Sequence, residues 1–356
     1  MKRTIYGGCL AILVAIALAG SASAASSPID TAAAASTQYG PKGRPPPAGA
    51  DAAPGTRAAP DPSLLYAVAS QRAVANGAWG YYTVAKPALA SSDFHSLAEL
   101  AVQSGDQRQI VEVGWTVDRG LNGDDDPHLF VFHWVDGVGT CYNACGFVPL
   151  NEPGYSVGMK LPVSATASQF AIRHHGTNWW IGYNRHWVGS FPDSLWGGRF
   201  KATGLVQWFG EVSAATTTPC TQMGSGEFGS SATASRIENV GFWAGKPGVT
   251  PDIATRDTHP AFYTALRTGS ASMRFGGPGA CRAVPDVRGE SPLSAERDIT
   301  AAGFAVGDVG TRFDPFCENL DNVVGQTPSP GTQLALGGRI DYEIGIPPRN
   351  GCPIPH

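Results

Sequence analysis

From Ser63 to about Ala280 the chain is written in short apolar runs broken by turn residues. Residues 64–70 and 79–84 are two such runs, separated by a turn at Asn76-Gly77. Residues 110–117 alternate with a period of two. Residues 129–135 form an aromatic run after the turn Asn122-Gly123-Asp124, and 170–174, 179–183 and 205–212 follow at hairpin-like spacing. No segment of this region sustains an apolar period of 3.6, so strands rather than helices are expected. Alternating strands with frequent turns predict an antiparallel β-sandwich. After Cys281 the texture changes. Residues 294–303 read as a short amphipathic helix, with Ala295, Ile299 and Ala302 on one face and Gly303 as its stop. Residues 339–346 read as a closing strand. The fold class is therefore mainly β: a sandwich over 63–282, a small α+β module over 283–347 and a tail over 348–356.

The first 62 residues fit neither pattern. Lys2 and Arg3 precede an apolar stretch over 9–18, which is too short to span a membrane. Ala22-Ser23-Ala24 fits a cleavage site, so 1–24 reads as a secretory signal and the mature chain as secreted, extracellular or periplasmic, with no membrane association. Residues 25–62 are rich in Ala, Pro, Gly and Ser around Pro45, Pro46 and Pro47. A segment of that composition buries too little apolar surface to offset its ordering entropy, so a disordered leader is expected. A linker and a propeptide are both open readings of it. Export gives the six cysteines beyond the signal a meaning: Cys141, Cys145, Cys220, Cys281, Cys317 and Cys352 predict three disulfides. Number alone leaves fifteen pairings open. Their spacing lacks the paired CxxC of a structural zinc site. A formal charge of −4 gives no reason to expect nucleic-acid binding.

Two strand-like runs carry an unexpected acid. In 110–117, Val111, Val113, Trp115 and Val117 share the core face, while Glu112, Gly114 and Thr116 share the other. The glycine leaves room there for a backbone or a ligand. In 205–212, Glu211 shares a face with Leu205, Gln207 and Phe209. An unpartnered buried carboxylate is costly, but two brought together can share one proton. One then activates water while the other protonates the carbonyl oxygen or leaving amine. On alternation alone, an exposed or edge-strand glutamate is the commoner reading.

The strings resemble the neprosin family of glutamic prolyl endopeptidases. Val113-Gly114-Trp115, Gly139-Thr140-Cys141-Tyr142-Asn143, Cys145-Gly146-Phe147, Asn178-Trp179-Trp180, Gln207-Trp208-Phe209-Gly210-Glu211 and Thr221-Gln222-Met223-Gly224-Ser225-Gly226 occur in the family's order over 64–281. The resemblance implies catalysis by Glu112 and Glu211, cleavage after proline in an acidic medium, and a sandwich with a concave catalytic face. Phe209 stands where the family string has glycine, which implies a narrower cleft. Gln207, Trp180 and Gln222 are candidate cleft-lining residues, with core packing or loop hydrogen bonding as ordinary alternatives. The family's folded activation domain has no counterpart in the short leader, and self-trimming at the prolines is an expectation instead. The family also implies a Cys141–Cys145 disulfide. Cys281 matches a family cysteine whose usual partner segment, here 259–263, has none, so Cys220 is assigned to it and Cys317 to Cys352. Val284-Pro285-Asp286-Val287-Arg288-Gly289, Ala301-Ala302-Gly303-Phe304 and Leu336-Gly337-Gly338 resemble a PASTA domain. That implies either cell-wall contact or a spacer.

Competing chemistries find little support. Gly224-Ser225-Gly226-Glu227-Phe228-Gly229 matches GxGxxG by letter only, with no helix expected after it. His174, His175 and His186 lack a metal-ligand spacing. No strand-to-helix elbow of the GxSxG kind is expected and no Asp-Thr-Gly string occurs, and Asp124, Asp125 and Asp126 read as a solvated turn rather than a calcium site. The expectation is an enzyme without metal or cofactor, acting on proline-containing peptides or proteins. The rival is a non-catalytic sandwich that grips proline-rich or cell-wall ligands.

Overall fold

The computed structural model describes residues 42–43, 63–243 and 248–353. The expected signal segment, and the leader apart from Lys42 and Gly43, lie outside the described residues. In chain order the strands of the main body are β1 (Ser63–Gln71), β2 (Gly77–Val84), β3 (His95–Gln103), β4 (Ile110–Val117), β5 (His128–Val135), β6 (Val138–Gly139), β7 (Val148–Pro149), β8 (Ser164–His175), β9 (Asn178–Tyr183), β10 (His186–Pro192), β11 (Leu205–Ala214), β12 (Ser235–Phe242), β13 (Ala254–Asp257), β14 (Thr264–Gly269) and β15 (Ser272–Gly276). They build two antiparallel sheets. One has seven strands in the order β13-β1-β11-β3-β4-β5-β6, the other eight in the order β14-β15-β12-β2-β8-β9-β10-β7. The sandwich is as the alternation predicts. Its main core lies between the sheets, where Val111, Val113, Trp115, Leu129, Trp208 and Val212 meet Phe170, Ile172, Trp179 and Ile181.

The seven-stranded sheet buries its outer face as well. Tyr66, Val68, Leu97, Phe130, Phe132 and Phe209 form a second apolar cluster there. A sheet buried on both faces has no solvated side, so its central strands are largely apolar, with few polar residues to mark an outward face. This hides β3. His-Ser-Leu-Ala-Glu-Leu-Ala-Val-Gln is made largely of good helix formers, yet all nine residues are buried between β11 and β4. Ladder pairing on both edges overrides local propensity. The turn expected near Asn122 instead contains α1 (Arg119–Asn122), capped by Asp118, which accepts from the Leu121 N–H.

The C-terminal module is α+β, as expected. Its helix α2 (Pro292–Ala301) starts at an Ser291 cap with Pro292 in its first turn and buries Ala295 and Ile299. Beyond it Gly303 takes a left-handed φ of 86°. β16 (Cys281–Ala283) pairs with β19 (Gln333–Ala335), and β17 (Ala305–Phe313), β20 (Arg339–Ile346) and β18 (Val323–Thr327) form a three-stranded sheet. The module has its own core of Val287, Ile299, Phe304, Val323, Ile340 and Tyr342. Disulfides join Cys141 to Cys145, Cys220 to Cys281 and Cys317 to Cys352.

Candidate active site

Register brings three glutamates onto the outer face of the seven-stranded sheet. β3 runs between β11 and β4. Leu97 of β3 pairs with Glu211, Glu99 pairs with Phe209 and Gly114, and Ala101 pairs with Gln207 and Glu112. Side chains two apart on a strand share a face. Glu99 therefore lies in the middle row, with Glu211 one row to one side and Glu112 one row to the other. Gly114 is required opposite Glu99: a Cβ there would lie 2.1 Å from the Ala98 carbonyl oxygen and 2.7 Å from the Glu99 Cβ. The room expected beside Glu112 is thus taken by a neighbouring strand.

All three glutamates are 0% exposed. Their charge is met by Lys42, whose side chain is 2% exposed. Its Nζ lies 2.7 Å from Glu99, 3.2 Å from Glu211 and 3.7 Å from Glu112. It also lies 5.6 Å from the centre of the Phe209 ring. The Gly43 N–H donates to Glu211 Oε1 at 3.0 Å. On the opposite side His95 Nε2 donates to the same oxygen at 2.9 Å, and Asp118 Oδ2 lies 3.8 Å from His95 Nδ1. Glu112 is less well held: neither of its oxygens has a hydrogen-bond partner among the described residues. Tyr66 and Tyr142 complete the surroundings, and the Tyr142 hydroxyl is likewise unpartnered there.

These environments separate the acids. Burial, opposed mainly by Lys42, pushes the Glu112 carboxyl up to about 7. Burial and the nearby Glu112 charge push Glu99 well above the usual range. Burial also works against the charge on Glu211, but Lys42, His95 and the Gly43 N–H together hold it below the usual range. Lys42 shows the same contest: burial opposes its charge, and Glu112, Glu211 and Glu99 outweigh that and raise its pKa. The cluster is thus set up to keep Glu211 ionised and let Glu112 carry a proton.

The other expected site residues divide. Gln207 lies on the acid-bearing face, 1% exposed, and accepts from Gln103 Nε2. Trp180 does not join the acids. It sits on β9 of the other sheet, between the core residues Trp179 and Ile181, so alternation turns it to that sheet's outer face beside Trp187, 6.4 Å away. Gln222 does not join them either: its backbone and side chain clasp the Ala88 backbone at 2.9 and 3.1 Å. The aspartates read as a turn make ion pairs, Asp124 and Asp126 with Lys160, Asp126 with Lys86 and Asp125 with Arg119. Sequence reasoning passed over Glu99, His95 and Lys42. The alternation His95, Leu97, Glu99, Ala101, Gln103 is a period-2 signal for the first two; nothing in the leader marks Lys42.

The Neprosin family model matches residues 92–278 and the PASTA domain model residues 282–341. Among solved structures the chain is similar to scytalido-glutamic peptidase with a transition state analog inhibitor, at 11% identity and a TM-score of 0.37, over 61% of this chain and 98% of that one. It is similar to a Bacillus licheniformis beta-glucanase at 10% identity and 0.28, over 46% and 70%. It is also similar to an apo Crh5 transglycosylase at 14% and 0.27, covering 42% of this chain and 57% of the length of that one. The Neprosin match takes in Glu99, Glu112 and Glu211 and spans more than half of the sequence; the chain belongs to the Neprosin family and carries a PASTA domain after the matched region.

Proposed function

We propose that the protein is a secreted glutamic endopeptidase that cleaves after proline, with Glu112 and Glu211 as its catalytic pair. Family membership supports a peptidase of the glutamic type. The observation that carries the pairing is the position of Lys42 Nζ, 3.2 Å from Glu211 and 3.7 Å from Glu112. An ammonium nitrogen is close in size to a water oxygen, so a water in its place is within hydrogen-bond reach of Glu211 and 3.7 Å from Glu112. Ionised Glu211, oriented by His95, takes a proton from that water as it attacks the scissile carbonyl carbon. Protonated Glu112 gives its proton to the carbonyl oxygen. The tetrahedral diol then collapses: Glu211 returns its proton to the leaving nitrogen, the C–N bond breaks, and Glu112 recovers a proton from the hydroxyl. Both carboxyls end as they began.

Substrate preference for proline rests on the family resemblance; the apolar wall of Phe130, Phe132 and Phe209 on the same face suits a ring without an N–H. The same reading assigns 63–282 to the catalytic domain and 283–347 to the PASTA-like module. The PASTA match supports cell-wall contact through that module. Three disulfides favour export to an oxidising compartment.

The test is cleavage of a proline-rich substrate across acidic to neutral pH, with cut sites mapped by mass spectrometry. Cuts should follow proline. kcat/KM should fall as pH rises and Glu112, its carboxyl pushed up by burial, loses the proton it must donate. A rate that keeps rising into alkaline pH contradicts the pair. Binding without any cleavage favours the ligand-gripping sandwich.

A further inference from the structure

The sandwich carries a second aromatic surface, on the sheet away from the acids. In β8, Phe170 and Ile172 point into the core, so Ala171 and Arg173 face outward. Across the strands Ala171 pairs with Trp79 of β2 and with Gly182 of β9, and Gly182 pairs with Trp187 of β10. Arg173 pairs with Trp180. Trp243, just beyond β12, joins these rings into one run: its centre lies 4.8 Å from Trp79 and 6.4 Å from Trp187, and Trp187 lies 6.4 Å from Trp180. We propose that this outer face of the eight-stranded sheet is a binding site for a proline-rich peptide segment, which anchors long substrates at a distance from the catalytic pair. Its part in cleavage rests on the peptidase reading of Glu112 and Glu211; the binding itself does not.

Glycines let the indoles lie along the sheet. A Cβ at Gly241, which pairs with Trp79, would lie 2.3 Å from the Trp79 ring, and a Cβ at Gly182 would lie 3.2 Å from the Trp187 ring. All four tryptophans are half-buried. Their remaining faces form contiguous apolar surface of the kind that marks an interaction site. Ala171 and Gly182 floor a cavity of about 210 Å³, with Trp187, Trp243, Gln169 and Arg185 around it.

The polar groups decide the occupant. Indole and guanidinium N–H groups donate and cannot accept. Among the described residues the buried Trp243 N–H has no partner. Arg173, whose guanidinium lies 4.9 Å over the Trp243 ring, and Arg185 form no ion pair there. No described carboxylate borders the cavity. A face rich in donors suits a ligand that offers acceptors alone. A sugar presents hydroxyls that must donate as well as accept. A proline segment presents flat rings and backbone carbonyls, and its nitrogens carry no hydrogen. It also arrives as a preformed extended helix with little freedom left to lose, the form that aromatic grooves take up. β2 and β10 stand three strand spacings apart, about 14 Å, which holds about five residues of that helix. A substrate that also reaches the catalytic face must pass around a sheet edge, a path of at least about 20 Å, so only a long chain can use both sites.

The test has a binding arm and a kinetic arm. For binding, the full chain carrying Glu112→Gln, in which the peptide survives, is titrated with an oligoproline of about ten residues and followed by its indole N–H resonances. Those of Trp180, Trp187 and Trp243 should shift together and saturate. Adding Trp187→Ala should weaken that binding about tenfold or more, the usual loss at a tryptophan anchor. Arg185→Asp should weaken it too without disturbing the fold, because Arg185 is exposed and its φ of 69° is one that aspartate tolerates. For kinetics, Trp187→Ala and Arg185→Asp in the otherwise native chain should lower kcat/KM about tenfold on a proline-rich substrate of about thirty residues and leave a hexapeptide unaffected. Indole resonances that stay still at millimolar oligoproline overturn the site. Shifts produced by cellohexaose but not by oligoproline give the face to a glycan and overturn it likewise. So does a dimer in sedimentation that Trp187→Ala dissociates, which gives the face to a second copy. Equal losses on the long and the short substrate overturn the anchoring role. No cleavage by any chain sinks the peptidase reading, while the indole titration still reports on the site.

Discussion

Glu112 and Glu211 sit in one cluster but titrate in opposite directions, so each ties stability to pH with its own sign. Burial raises the folded-state Glu112 carboxyl to about 7, above its unfolded value. Its contribution is complete below the ordinary carboxylate range and is lost as pH rises through about 7. Glu211 is held below the ordinary range despite burial, chiefly by Lys42 and His95. Its contribution is present above that range and is lost as pH falls through its folded value. Thermal melting should therefore peak in mildly acidic solution. Glu112→Gln, which keeps the shape without the titration, should flatten the decline on the alkaline side. A Glu112→Gln melting profile that falls as steeply as wild type between about pH 5 and pH 8 shows that Glu112 is not the group responsible. Alternation marked the two acids as out of place in apolar runs, and only the family resemblance paired them. Their inequality was not legible, since it comes from His95, Gly43 and Lys42, which are distant in sequence.

At the scale of elements, β3 decides the site. It supplies Glu99 and His95 and sets Glu112 and Glu211 on flanking strands in register. Gly114 is the position where that register is tightest. Gly114→Ala forces a Cβ against backbone, the Ala98 oxygen at 2.1 Å, and should cost about 1–3 kcal/mol with loss of activity. Urea unfolding checks this; an unchanged midpoint would mean the strands can part at no cost. The strands at 110–117 and 339–346 were readable to the residue, because one apolar face or a clear turn defines each. β3 was not, because a strand buried on both faces and rich in Leu, Ala and Glu carries a helical composition. Trp180 was misplaced for a related reason: alternation says that a residue lies on a sheet face but not on which sheet. Gln222, in a loop, had no periodicity to place it.

Among the described residues the PASTA-like module has an apolar core of its own, separate from the two clusters of the sandwich. Ile299 is fully buried in that module's core. Ile299→Ala should destabilise that module by about 2–5 kcal/mol and leave the sandwich transition in place. Calorimetry that instead shows one transition shifted as a unit would mean the modules unfold together. Their order along the chain was legible from the change of texture at Cys281. Among the described residues no helix is long and apolar enough to cross a membrane.

The peptidase account turns on two carboxyls sharing one proton around a single water. The most direct measurement is the steady-state cleavage of a proline-containing peptide in acid by Glu112→Gln and by Glu211→Gln beside wild type. The account predicts that each substitution lowers kcat by about 10²–10⁴, the usual worth of a general acid or base, with KM little changed and the fold intact. Undiminished turnover by either folded variant contradicts it.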